Sequence, residues 1–172
     1  MGASAHLVKR FFSSLRPGGP SATDCAWVEE ELTEAELVLW RRMSGPDRRH
    51  SAHVGREVQR RLGNEATRPV LAAALLHDVG KIDADLGTWG RVVATLSAKV
   101  AGPDTAKLWI KSRGFTRRVG LYLHHPEIGA DLLEMAGSDP LTVAWAEEHH
   151  RPSDEWTIDD GVAAVLFLVD DA

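Results

Sequence analysis

Leu75-Leu76-His77-Asp78-Val79-Gly80-Lys81-Ile82-Asp83 closes a run of small and aliphatic residues, Val70 to Leu76, with an imidazole and a carboxylate side by side. The uninterrupted apolar run predicts a helix buried on all sides. Gly80 supplies the left-handed freedom that helix C-termini favour, and Lys81 falls near the negative end of the helix dipole. His77 and Asp78 are therefore expected in the last turn, at a helix mouth. An unpaired charge is costly to bury there and a cation is the usual remedy, so metal is the first chemistry to consider.

Upstream of this stretch the chain reads as helices. Thr67 is a plausible cap for the apolar helix, after a turn at Gly63-Asn64. Before it, Val54, Val58 and Leu62 recur at spacings of four and predict a helix from Arg48 to about Leu62, capped by Asp47. His50 falls in its first turn, one turn before Val54, and is expected on the buried face. Thr33-Glu34-Ala35-Glu36 fits a capping box, and the helix it opens should stop before Ser44-Gly45-Pro46. Residues 6–16 are basic and amphipathic, suited to packing on the domain or to weak peripheral contact with an anionic membrane. Pro17-Gly18-Gly19-Pro20-Ser21 breaks any helix. We therefore divide the chain into a segment and linker, 1–22, and a single domain, 23–172.

Downstream, Trp89–Val100, Asp104–Lys111 and Thr116–Leu123 read as helices. His124-His125-Pro126 then breaks the chain, because the residue before proline avoids the α region, while Pro126 suits the first turn of the next helix. Ile128, Leu132 and Leu133 should face inward. A helix from Asp139-Pro140 leads to His149-His150, and a last one from Asp159 to Leu168 runs into Val169-Asp170-Asp171. With no repeat and no period-two strand pattern, the expected class is an all-α bundle.

Size and composition narrow the function. With 172 residues and 44% apolar content, the chain suits one domain with a substantial core. A net charge of -5 and a pI near 5.9 argue against a partner such as a nucleic-acid duplex. Cys25 stands alone, so no intramolecular disulfide forms and a reducing, cytoplasmic setting is expected. No apolar run approaches the length of a transmembrane segment.

His50, His77, Asp78, His125, His149, His150 and Asp170 stand mostly at the ends of predicted helices, which can converge on one cavity. Five histidines and two carboxylates exceed the needs of one structural zinc. Their N/O donors suit iron, manganese, nickel, zinc or cobalt rather than a calcium cage. Asp78 can offer one oxygen to each of two cations, and paired cations can generate hydroxide and clamp a phosphoester. Lys81 can meet a phosphate oxygen as a point charge. Taken singly, each has a plainer reading: a helix-end histidine as a donor to a backbone carbonyl, Lys81 as a helix-terminal charge, Asp170 as an exposed carboxylate. Arg113, Arg117 and Arg118 form a basic cluster that steers a phosphate or simply faces solvent. His53 and His124 read as packing or supporting residues beside the ligands. Trp40, Trp109 and Trp145 read as core, leaving Trp89 and Trp156 as the tryptophans near the site.

Order and spacing together resemble the HD superfamily of metal-dependent phosphohydrolases, and within it the HD-GYP branch. The resembling segments are Arg49-His50-Ser51-Ala52-His53-Val54, Ala74–Ile82 around His77-Asp78, His125–Leu133, Glu148-His149-His150-Arg151-Pro152 and Phe167-Leu168-Val169-Asp170. They follow family order over residues 47–170. The resemblance implies an HD-domain helical bundle with two or three divalent transition-metal ions in its core, iron or manganese first. His50, His77, Asp78, His125, His149, His150 and Asp170 would be ligands, with Asp78 bridging. It further implies hydrolysis of a phosphoester, from a nucleotide or a cyclic dinucleotide such as c-di-GMP, by a hydroxide held between the ions. Asp78 and Lys81 would be the catalytic residues, with Lys81, Arg117 and Arg118 at the substrate. The branch's GYP signature is absent: after His149-His150 the chain runs Arg151-Pro152-Ser153-Asp154-Glu155-Trp156. Two alternatives follow, a catalytically silent metal-binding sensor and a di-iron oxygenase of the HD type.

Overall fold

A Ser or Thr side chain accepting an orphan amide starts each of the first three helices. The computed structural model describes residues 18–84, 86, 90 and 108–171. Ser21 accepts from the Asp24 amide and opens α1, Ala22–Glu31. At Thr33 both halves of the expected capping box form, and α2 spans Glu34–Arg42. Ser44 accepts from the Asp47 amide and opens α3, Gly45–Leu62. Removing the Thr33 hydroxyl unpairs the Glu36 amide, so Thr33→Ala is expected to cost about 1 kcal/mol, read as a lower midpoint in denaturant.

The remaining helices are α4 Arg68–Leu76, α5 Gly114–Leu123, α6 His125–Met135, α7 Pro140–Glu148 and α8 Asp160–Asp170. Short 3-10 turns cover Gly63–Glu65, Val79–Ile82, Trp109–Lys111 and Ser153–Glu155. Among the described residues there are eight α-helices and no strand, so the fold is all-α. No helix among them is long and apolar enough to cross a membrane.

Helix α4 is the axis of the molecule. No residue from Val70 to Leu76 exposes more than 4% of its surface. Helices α1, α2, α3 and α7 pack around it, α8 closes over α3, and α6 lies along α7. Fully burying Leu75 or Leu76 contributes about 1.5–3 kcal/mol each, which is why this helix sits at the centre. Trp40 and Trp145 are core residues, and the Trp40 indole N–H donates to Ser51 Oγ at 3.0 Å. A smaller cluster joins Ala84 and Leu86 to Val119 and Leu121 of α5.

Several local expectations change. Helix α3 begins at Gly45, three residues early, because Pro46 fits its first turn instead of excluding it. Asp47 is thus inside the helix, accepting a 2.6 Å hydrogen bond from the Ser44 hydroxyl, and His50 moves into the second turn. Thr67 occupies the cap position of α4 without a side-chain cap bond. Helix α4 stops at Leu76, so His77 caps it and Asp78 leads into the 3-10 turn. Gly80 is not among the glycines with positive φ, so its reason is not left-handed backbone. His53 is exposed and plays no packing role. Trp89–Val100, apart from Gly90, and residues 104–107 of the next expected helix lie outside the described residues, as do residues 1–17.

Candidate metal centre

The ends of α4, α6, α7 and α8 converge beside the second turn of α3, and each brings an imidazole or a carboxylate. Helix termini leave carbonyls without intrahelical partners, and three histidines use them in the same way. His77 Nδ1 donates to the Ala74 carbonyl at 3.0 Å, His125 Nδ1 to Tyr122 at 2.8 Å, and His149 Nδ1 to Ala146 at 2.9 Å. A carbonyl only accepts, so each Nδ1 carries a hydrogen. In each ring Nε2 is buried and has no hydrogen-bond partner. Leaving such a group unsatisfied costs about 1–3 kcal/mol, so three at one place point to something that occupies them. A histidine pinned through one nitrogen with the other free is the arrangement of a metal ligand and its support.

Asp78 stands between two groups of donors. Its Oδ1 lies 3.3 Å from His125 Nε2 and 3.8 Å from His149 Nε2. Its Oδ2 lies 3.5 Å from His77 Nε2 and 2.5 Å from Lys81 Nζ. Two ligand atoms each about 2.1 Å from one ion are about 3.0–3.4 Å apart at octahedral to tetrahedral angles. The 3.3 Å spacing to His125 falls in that range, and the 3.5 Å and 3.8 Å spacings to His77 and His149 lie just beyond it. Asp78, His125, His149 and His150 offer ligand atoms within 4.8 Å of one another, as do His50, His77 and Asp78. Asp170 Oδ1 adds to the second group, 2.8 Å from His50 Nε2 and 3.4 Å from His77 Nε2. The donor set therefore fits metal ions.

Burial and charge divide the imidazoles. Burial pushes His125 and His149 below the usual histidine value, His149 strongly, and both are neutral near pH 7. His150 is open to solvent on one side but crowded by His125 and His149; desolvation, then His125, lowers it to about 4. His77 is the exception. Burial opposes its charged form, but the Asp78 and Asp170 carboxylates outweigh burial, mainly by coulombic attraction, and raise it to about 10. Against the same burial penalty, Lys81 and His77 hold Asp78 well below the carboxylate range. His77 and the His50 donor do the same for Asp170. Lys81, also buried, is raised by Asp78 and stays cationic.

All seven expected ligands and Lys81 thus lie in one cluster. Arg117 is exposed, whereas the Arg118 Nε–H donates to the Ala84 carbonyl at 3.1 Å and braces the chain after the Val79–Ile82 turn. His124 is half-buried, 3.7 Å from Glu127. Trp156 packs edge-on to Trp145 and against Phe167. Two residues were not foreseen. The Tyr122 carbonyl holds His125 while its ring lies 5.8 Å from Lys81 Nζ. Glu148, buried beside His149, accepts from the Thr157 amide at 2.8 Å and hydroxyl at 2.7 Å, fixing the loop after the histidine pair. A carboxylate directly before His149-His150 was the available signal. The chain matches no protein-family model, no curated protein and no solved structure.

Proposed function

We propose that this chain is an HD-type metal-dependent phosphohydrolase acting on a nucleotide or cyclic dinucleotide. The observation that carries the reading is Asp78, one oxygen facing each histidine group, among three buried Nε2 atoms without partners. Asp78, His125, His149 and His150 would hold one divalent transition-metal ion, and Asp78, His50, His77 and Asp170 a second, iron or manganese foremost. When bound, such a pair supplies hydroxide from water near neutral pH and stabilises charge on phosphoryl oxygens. The rest falls to the chain. Neutral His125, His149 and His150 present lone pairs without first losing a proton at pH 7. Lys81, held cationic against Asp78, offers a non-bridging phosphate oxygen a fixed point charge.

Elemental analysis of purified protein, followed by incubation with bis-p-nitrophenyl phosphate and a nucleotide panel, tests the reading. Two equivalents of metal with turnover on at least one ester are expected. Metal with no turnover on any would favour a sensor module. That second reading has one observation behind it: Arg151, paired with Glu147, follows His149-His150 where the HD-GYP branch has an acidic residue.

A further inference from the structure

The Val79–Ile82 turn and the first turn of α6 touch backbone to backbone, and two glycines make this contact feasible. A Cβ placed on Gly80 would lie 2.0 Å from the His125 carbonyl oxygen, 2.6 Å from the Gly129 amide nitrogen and 2.9 Å from the His125 carbonyl carbon. That oxygen and that amide are an i, i+4 pair at the start of α6, one residue on from the His124 carbonyl, which accepts from the Ile128 amide at 3.1 Å. From the other side, a Cβ on Gly129 would lie 3.2 Å from the Gly80 nitrogen. Every one of these neighbours is backbone, so no rotamer change relieves the clash.

The contact sits between two residues of the candidate centre. Asp78 is two residues before Gly80 and leads directly into its turn. His125 is the first residue of α6, and its ring is pinned to the Tyr122 carbonyl just outside that helix. Asp78 Oδ1 and His125 Nε2 are 3.3 Å apart, within the range for two donors on one ion. Real Cβ atoms essentially never approach within 3.0 Å, so a methyl at Gly80 demands a parting of about 1 Å or more. Such a shift at backbone level passes directly to the Asp78–His125 distance.

We infer that Gly80 and Gly129 are positioning residues: their side-chain-free contact sets the spacing of Asp78 from His125, and so joins the His125-His149-His150 donors to the His50-His77 donors. The inference rests on the two-ion reading above and adds what holds its halves together. Gly129→Ala, with its milder 3.2 Å clash, should stretch the site, and Gly80→Ala should part it.

The test is manganese titration of metal-free full-length protein by calorimetry, with electron paramagnetic resonance of each loaded sample. Wild type should take up two ions showing the exchange-coupled spectrum of a carboxylate-bridged pair. Gly129→Ala should weaken the second ion by about 10- to 100-fold, and Gly80→Ala should bind a single ion with an uncoupled six-line spectrum. Should Gly80→Ala fail to fold, Gly129→Ala decides alone. Gly55→Ala controls for crowding elsewhere, since the atoms nearest its Cβ would be those of the Trp27 and Leu75 side chains; it should lower stability and keep the coupled pair. Two tightly bound, coupled ions in Gly129→Ala, or loss of coupling in Gly55→Ala as well, would overturn this inference and leave the metal centre standing. A wild type that binds no manganese would overturn both.

Discussion

Asp78→Ala is expected to abolish binding of both metal ions and reduce phosphoester hydrolysis to background while the far-UV helical signal persists. Asp78 is the one residue common to both donor groups, so its loss strikes each of them. The stability effect is separate and comes from charge. Lys81 Nζ sits 2.5 Å from Asp78 Oδ2 with the lysine side chain only 14% exposed, and truncation leaves that ammonium buried without its partner. Removing one member of a buried pair costs about 3–5 kcal/mol, a large part of the about 5–15 kcal/mol that holds a domain together. The double variant Asp78→Ala/Lys81→Met should recover much of the lost melting temperature and none of the metal. Full phosphodiesterase activity in Asp78→Ala would refute the proposed mechanism, and unchanged stability would refute the electrostatic account of Lys81.

What could be read from the residues alone was what depends on near neighbours. Val70–Leu76 has no polar face, so its burial at the centre follows from composition, and the Thr33 capping box is a four-residue pattern. The pinning of His77, His125 and His149 is local too, since each ring reaches a carbonyl three residues back. The start of α3 was misread because Pro46 was given its helix-breaking role, whereas in a first turn its missing N–H costs nothing. Gly80 was located correctly for the wrong cause. Left-handed backbone is a property of one residue, but the neighbour that excludes a Cβ is His125, forty-five positions along. The same limit hid Glu148–Thr157 and Arg118–Ala84, which depend on the paths of loops. Convergence of the seven donors lay between these cases: their order and spacing suggested it, and only the packing of α3, α4, α6, α7 and α8 brings them within reach.

Metal binding at about pH 8 should release about one proton per chain, and the metal-free protein should be most stable near neutrality. The proton is that of His77. With its value raised to about 10, the ring is an imidazolium at pH 8, and an ion can take Nε2 only if that proton leaves. His125, His149 and His150 are already neutral there and release none. For stability the signs oppose. A raised histidine contributes stability that is complete below its unfolded value of 6.5 and is lost as pH rises through about 10. Lowered histidines act in the opposite direction. For His150 the unfolded chain binds more protons between about 4 and 6.5, so stability grows with pH across that window, and His125 and His149 add to it. Asp78 and Asp170 contribute stability that is present above the unfolded value of 3.8 and disappears as pH falls through their lower folded values. Melting temperature of EDTA-treated protein should therefore rise from pH 4 to 6.5 and decline toward 10. Proton release is read from the dependence of calorimetric enthalpy on buffer ionisation enthalpy. Asp170→Asn removes one of the two anions that hold the His77 proton, so it should flatten the alkaline decline and reduce the release at pH 8. An Asp170→Asn protein with wild-type proton release would show that Asp170 does not hold the His77 charge.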